Sequence, residues 1–209
     1  IRRGLAYWPT RAGFELVNNE RLEMVSVGRL VEKKGYFNQL IIASRLNDMG
    51  IPFRLRIVGS GPLKVPVAKQ LALFTKRWCH TEYFIHMKRL YSCLGDLAGK
   101  EVGATHLLTG ENLGQVSSQT LGNLGAIEQV TALQMLRPLL GFDKTAIMHM
   151  SQGLGTFELS IGPEVCDALG PSMPTTIANL EWLEKSELRL GGLDKITQEA
   201  WTNRRTVEL

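Results

Sequence analysis

Short apolar runs alternate along this chain with longer stretches of three- and four-residue periodicity. Residues 22–28 (Leu-Glu-Met-Val-Ser-Val-Gly) read as a buried strand. Residues 35–49 read as a helix with Phe37, Leu40, Ile41 and Ser44 on one face, stopped by Gly50. Residues 53–58 alternate apolar and basic side chains as a second strand, closed by Gly59-Ser60-Gly61-Pro62. Together these make a βαβ unit, whose crossover is expected to be right-handed. The spacing further predicts a helix over 66–78, with Pro66 confined to its first turn. A longer helix over 81–99 carries Phe84, Met87, Tyr91, Leu94 and Ala98 on one face. Strands are expected at 105–109 and 134–140, and between them a helix at 115–130 with Leu121, Leu124 and Ile127 inward. Asp143 is placed to cap a helix at 144–154, with Ile147, Met150 and Leu154 buried and Gly155 as its stop. Residues 162–175, rich in Gly and Pro, read as a loop, and two helices near 176–190 and 194–203 follow. Such alternation predicts an α/β, Rossmann-like fold: a mostly parallel sheet with helices on both faces.

Composition narrows the class without changing it. At 209 residues, 44% hydrophobic and 21% charged, the chain matches a soluble globular protein with one good core or two small ones. No apolar run reaches the ~18 residues that span a bilayer, so no membrane partner is expected. The opening Ile1-Arg2-Arg3-Gly4 leads into no apolar segment of the secretory type. Cys79, Cys93 and Cys166 are odd in number and widely spaced, which predicts a reducing, cytoplasmic setting rather than a disulfide framework. His80, His86, His106 and His149 are scattered, and no metal site is expected. Residues 1–70 carry 12 basic and 5 acidic side chains, and residues 71–209 carry 12 and 15. The positive charge is therefore concentrated in the first third, as on a phosphate-facing surface or in a segment of different ancestry.

Two places carry candidate chemistry. The first is Thr109-Gly110-Glu111-Asn112-Leu113-Gly114-Gln115-Val116-Ser117-Ser118-Gln119-Thr120, a Gly-bracketed turn between a strand and a helix. Gly110 and Gly114 allow close backbone approach, and the amides of residues 115–118 are expected to face a ligand from a helix N-terminus. Ser117, Ser118, Gln119 and Thr120 offer neutral donors, and Glu111 an acceptor or a metal-side carboxylate. The alternative is a plain strand–turn–helix connection. The second place is the basic loop after residue 28, where Arg29 and Lys34 could meet a diphosphate or form a solvated face.

Each place also resembles a known family. Residues from about 79 to 209 resemble the C-terminal half of the ATP-pyrophosphatase (PP-loop) domain of tRNA 4-thiouridine synthase, the thiamine-biosynthesis sulfurtransferase. The resemblance rests on the segment 109–120, on Arg137-Pro138-Leu139-Leu140-Gly141-Phe142-Asp143-Lys144, and on Gly155-Thr156-Phe157-Glu158-Leu159-Ser160-Ile161. It implies ATP with Mg²⁺, a tRNA uridine as acceptor and a persulfide as sulfur donor. It places Gly110, Glu111, Gly114, Gln115, Ser118 and Gln119 at the nucleotide, and makes Cys166 in Pro163-Glu164-Val165-Cys166 the sulfur-handling thiol. Residues from about 3 to 64 resemble the first βαβ unit of the C-terminal domain of a family 4 (GT-B) glycosyltransferase. That likeness rests on Ser26-Val27-Gly28-Arg29-Leu30, Glu32-Lys33-Lys34-Gly35 and Arg56 through Leu63, and it implies a nucleotide sugar held at Arg29 and Lys34.

Taken together, the resemblances imply a hybrid. It would join a glycosyltransferase-like segment over 1–70 to a thiouridine-synthase-like half-domain over 71–209, as two pieces or as one continuous α/β domain. No Ser-Gly-Gly-x-Asp-Ser run, which cradles the ATP phosphates in the resembled family, occurs in residues 1–209. Strand 22–28 would then stand in the place of that loop's strand, with Arg29 and Lys34 as its phosphate contacts. The expectation is ATP-dependent sulfur transfer to tRNA, incomplete in this chain alone. A glycosyltransferase fragment and a recombined or engineered fold without catalysis are the alternatives. An open sheet edge would favour an oligomer.

Overall fold

The structure, a computed structural model, describes residues 21–27, 43–44, 46–58, 63–114, 116–155, 157–160 and 169–206. Arg29, Lys34, Gln115 and Cys166 lie outside the described residues, as do Phe37, Leu40, Ile41 and the turn 59–62. The elements in chain order begin with strands β1 (Leu22–Val27), β2 (Phe53–Val58) and β3 (Leu63–Lys64). Helices α1 (Ala68–Leu73) and α2 (Tyr83–Val102), strand β4 (His106–Leu108), helix α3 (Leu121–Glu128) and strand β5 (Gln134–Leu136) follow. Helices α4 (Lys144–Gly153), α5 (Phe157–Ser160), α6 (Leu180–Arg189) and α7 (Leu193–Thr202) lead to β6 (Arg205–Thr206).

Four strands form one parallel sheet in the order β2-β1-β4-β5. Leu22 to Val27 pair with Phe53 to Val58, and Met24 and Val25 pair with His106 and Leu107. Strands from both sides of residue 70 thus share one hydrogen-bonded sheet. A separate antiparallel pair joins β3 to β6, with Leu63 opposite Thr206.

The two-residue period of a strand sends alternate side chains to opposite faces. Val25, Leu107 and Met135 join the larger core, which also holds Leu90, Leu94, Ile127, Leu183 and Ile196 from the helices. Leu22, Met24 and Leu108 face the other way, with Leu46, Phe53, Leu55 and Leu136 packed around them. Leu46 belongs to the helical residues 46–48, so both faces of the sheet are covered, as the apolar character of the strands requires.

Helix α2 is the central helix of the larger core, packed against β1, β4, α3 and α7. It ends at Gly103 in the left-handed conformation (φ 65°), whose amide donates back to Gly99 O. The predicted stripe is only part of its buried surface. Ile85, Leu90, Leu94 and Ala98 are buried, whereas Phe84 and Tyr91 are partly buried. A helix gripped by a sheet on one side and by helices on others buries more than one stripe.

Two boundaries differ from the sequence reading for a local reason. Strand β5 stops at Leu136, because Pro138 has no amide for a ladder and Leu140 N turns back to Arg137 O at 3.1 Å. The helix expected at 115–130 begins only at Leu121, after a short 3₁₀ turn at Ser117–Gln119. Thr120 is extended (φ −76°, ψ 157°) and caps Asn123 N through its hydroxyl at 3.2 Å. Leu124 and Ile127 point inward as expected, but Leu121, in the first turn, is 69% exposed. Helix α4 starts where Asp143 predicts, with Ala146 N donating to Asp143 Oδ1 at 2.7 Å. Of its expected buried face, Ile147 and Met150 are half-buried and Leu154 is exposed.

The C-terminal helices are tied to α2 by charge as well as by packing. Arg89 donates from Nε to Glu187 Oε1 at 2.6 Å and from Nη2 to Oε2 at 2.9 Å. Its Nη1 donates to Ala126 O at 2.5 Å, which brings α3 into the same knot. His86, fully buried and stacked on Phe74, pairs with Glu187 at 3.1 Å. Burial alone would raise the Glu187 carboxyl, but the His86 hydrogen bond and the Arg89 guanidinium outweigh it and hold it below the ordinary carboxylate range. Removing one partner of such a pair leaves a buried charge uncompensated. Glu187→Ala is therefore expected to lower the unfolding free energy by about 3–5 kcal/mol in urea denaturation. A loss under about 1 kcal/mol, the scale of an exposed pair, would show that Arg89 finds other compensation.

Candidate functional site

Parallel strands deliver their following loops to one edge of the sheet, and here the loops after β4 and β5 meet. Thr109 N donates to Leu136 O at 3.0 Å, and Leu113 N to Leu140 O at 3.0 Å. The sequence between them turns its polar groups inward. Asn112 N donates to the Gln119 carboxamide oxygen at 3.1 Å, and Gly114 N to Gln119 O at 2.9 Å, closing residues 112–119 into a compact loop. Asn112 Nδ2 donates across to Phe142 O at 3.0 Å.

Glu111 is the electrostatic centre. Its carboxylate is 9% exposed at the residue level and both oxygens are engaged. Lys88 Nζ reaches Oε1 at 2.7 Å from α2, and Arg137 Nε reaches Oε2 at 2.8 Å from the end of β5. Thr109 Oγ1 adds a longer bond to Oε2 at 3.3 Å. Arg137 continues to Glu128 Oε2 at 2.5 Å and to Leu124 O at 3.3 Å, both on α3. Burial by itself would raise the Glu111 carboxyl, but Lys88 and Arg137 overcome it and hold the group below its usual range.

The structure sorts the expected site residues into two sets. Gly110 and Gly114 are exposed, and Gly114 has φ +76° with open space where a β-carbon would stand. Glu111, Ser118 and Gln119 turn inward: Glu111 accepts from two cations, Ser118 is 3% exposed, and Gln119 accepts from the loop's own amides. The expectation that amides 115–118 open a helix toward a ligand is corrected. The helix starts at Leu121, and its start faces another segment of the chain. Thr120 Oγ1 donates to Thr176 O at 2.8 Å, Asn123 Nδ2 to Ser117 O at 2.8 Å and to Thr175 O at 3.2 Å. Ala178 N donates to Asn123 Oδ1 at 2.7 Å. Thr120 and Asn123 compete successfully for these groups, as short polar side chains do beside helix starts.

Three contributors escaped the sequence reading. Lys88 lies on a helix 23 residues before its partner, where nothing local separates it from a solvated lysine. Arg137 and Asn112 stand within recognisable segments, but only the fold shows what they hold. Among the described residues, no group of three or more His, Cys, Asp or Glu side chains is arranged to hold a metal ion, and no helix is long and apolar enough to cross a membrane.

The described thiols are poor nucleophiles. Burial pushes Cys79 up to about 11, with Glu82 adding to the effect, and its Sγ leans on Phe74 O at 3.7 Å. Burial, reinforced by Asp96, pushes Cys93 up to about 12, and its Sγ lies 3.6 Å from Val130 O.

The chain is similar to known proteins. The family model described as thiamine biosynthesis protein (ThiI) matches residues 51–191. A protein named "Probable tRNA sulfurtransferase" from Thermotoga maritima is 38% identical over 159 residues, covering 75% of this chain and 39% of that protein. One of the same name from Lachnoclostridium phytofermentans is 32% identical over 194 residues, covering 86% of this chain and 50% of that protein. Among solved structures, a 4-thiouridine synthetase–RNA complex with bound ATP has a TM-score of 0.64 and 34% identity, covering 88% of this chain and 48% of that one. The chain spans half or less of the length of these relatives. These matches do not support the glycosyltransferase part of the hybrid. A likeness over 88% of the chain exceeds what residues 71–209 can supply, so it extends into the N-terminal 70 residues.

The lowered Glu111 pKa carries a sign. Its stabilisation is complete above the unfolded-state value of roughly 4.3 and is lost as pH falls through the lower folded value. Glu111→Gln is expected to be about 3 kcal/mol less stable than the parent at pH 7, with the gap closing below about pH 4. Denaturation midpoints measured across pH check this, and a gap that stays constant into acid would remove the charge from the explanation.

Proposed function

We propose, since the chain belongs to the thiamine biosynthesis protein (ThiI) family, that it takes part in ATP-dependent sulfur transfer to a tRNA uridine. The observation that carries this reading is the 34% identical structural likeness to an ATP-bound 4-thiouridine synthetase–RNA complex. ATP, with Mg²⁺ accompanying its phosphates, would supply the adenylyl group that activates the uridine oxygen. Gly110 and Gly114 give the ligand close access to the backbone, with Gln115 beside them. Glu111, Ser118 and Gln119 hold the loop that presents those glycines. Lys88 and Arg137 are balanced by Glu111 and Glu128 together and contribute position more than charge. The carboxyl edge of a parallel sheet, where strand-end loops meet, is where such folds take nucleotides.

Cys166 is the proposed sulfur-handling thiol, receiving sulfur from a persulfide donor. Support comes from its place in Pro163-Glu164-Val165-Cys166 and from the burial of the other two thiols. A thiol near its unperturbed pKa of roughly 8.5 has a usable thiolate fraction at neutral pH, whereas one near 11 or 12 does not. A reducing cytoplasm suits that chemistry.

Two measurements test the reading. In calorimetric titrations with ATP, UDP-glucose and GDP-mannose side by side, ATP alone is expected to bind, and Gly114→Glu to abolish the heat. Binding of a nucleotide sugar that Arg29→Ala removes would instead favour the glycosyltransferase alternative. In native alkylation at pH 8, iodoacetamide is expected to label Cys166 and to reach Cys79 and Cys93 only after unfolding. Rapid native labelling of all three would remove the basis for singling out Cys166.

A further inference from the structure

Two loops meet at the carboxyl edge of the sheet, and one side chain of the first reaches across to the second. Asn112 is 2% exposed. Its backbone amide donates to Gln119 Oε1 at 3.1 Å, which folds the 112–119 loop onto itself. Its carboxamide Nδ2 donates to Phe142 O at 3.0 Å, on the loop after β5. The next residue, Asp143, caps helix α4, so the bond to Phe142 also sets where that helix and exposed Lys144 begin. The carboxamide oxygen is buried and has no hydrogen-bond partner among the described residues. Burying an unpaired acceptor is unfavourable, so a side chain that merely filled this space would do better without an amide. What the amide contributes is its donor. The orientation is fixed as well, since a flipped carboxamide would set oxygen against Phe142 O.

We infer that Asn112 is a positioning residue, a clasp through which the 112–119 loop and the 139–143 loop hold one mutual geometry at the candidate nucleotide site. The inference extends the proposed function and rests on it for the identity of the ligand, but the clasp itself concerns only this chain. Two other ties cross the same gap, Glu111 to Arg137 and Leu113 N to Leu140 O. Neither of them reaches Phe142, whose neighbour Asp143 caps helix α4. The bond to Gln119 is made by the backbone amide and survives a substitution, so what a change at Asn112 removes is the side-chain bond to Phe142 O between the two loops.

The test uses Asn112→Ala and the isosteric Asn112→Asp in the full chain. Amide hydrogen exchange is followed by residue, with ATP titrated alongside. In Asn112→Ala, exchange in 112–119 and 139–143 is expected to rise about tenfold, the scale of one lost buried hydrogen bond. Exchange in α2 should hardly change. In Asn112→Asp the carboxylate at high pH faces Phe142 O with no proton to donate, whereas the protonated acid can donate. Burial raises the pKa of such a group. Loop protection in Asn112→Asp is therefore expected to recover as the pH is lowered from 8 to about 5.5, unlike in Asn112→Ala. Glu111 with its partners Lys88 and Arg137, and Asp143 at the start of α4, are the charged groups nearby, so the parent chain over the same pH range is the reference.

Exchange that rises equally throughout the molecule, or Asn112→Asp protection that does not recover in acid, would overturn the clasp. The ATP arm separates the two readings. If the parent binds no ATP while the exchange pattern holds, the proposed function fails and the clasp stands. If the parent binds ATP and both variants bind it as well as the parent does, the clasp does not position the site and the inference fails.

Discussion

One buried carboxylate, Glu111, sets the geometry of the sheet's carboxyl edge. Strand ladders fix the strands, but β4 pairs over only three residues with β5, and beyond Leu108 and Leu136 the ladder no longer holds the chain. A charge enclosed between Lys88 and Arg137 takes over. Ion pairs in such surroundings are costly to break and exact in direction, because each lone pair left unfilled would be buried without solvent. Arg137 extends the constraint to Glu128 and Leu124 O. Helix α2, the loop after β4, the end of β5 and helix α3 are thus fixed relative to a single side chain.

Helix α2 carries this constraint to the C-terminal helices. Lys88 and Arg89 are consecutive, so they leave the helix about 100° apart. One takes Glu111 in the candidate site, and the other takes Glu187 on α6. The apolar residues of the same helix, Leu90, Leu94 and Ala98, pack in the larger core. A shift of α6 is therefore felt at Arg89, one residue from the cation that holds the site loop. The C-terminal helices, which supply no residue to the nucleotide loops, still take part in fixing their position.

Much of this was legible in the residues. The alternation in 22–28 and 53–58 foretold strands that belong to the sheet, and Asp143 foretold the start of α4. Both signals are local, arising from side-chain period and backbone capping. What escaped was either long-range or competitive. Lys88 and Arg89 carry no local signal, because their partners stand 23 and 98 residues away. Leu121 read as inward because the helix was expected from residue 115, whereas Thr120 is extended and leaves Leu121 in the exposed first turn. The glycosyltransferase likeness has a physical source too. A buried strand, a basic turn and an amphipathic helix form a common solution to holding phosphate, so a short match of this kind says little about descent. The ThiI family match over residues 51–191 outweighs it.

The same geometry limits the part these loops can play. A phosphate needs unspent amides or unpaired cations. Gly114 N and Gln119 N are spent within the loop, and Asn123 N on Thr120. Lys88 and Arg137 are matched by Glu111, with Glu128 adding a second negative charge. What the loops after β4 and β5 offer outward is shape: exposed glycine backbone at residues 110 and 114 on a rigid support. In the proposed function, such a surface would suit close contact with the uncharged part of a nucleotide, and charge neutralisation would fall to groups such as exposed Lys144 at the start of α4. A site divided in this way separates recognition from electrostatics. Substitutions at Gly110 or Gly114 should therefore act on fit, largely independent of ionic strength, whereas loss of a cation should act on binding that salt weakens.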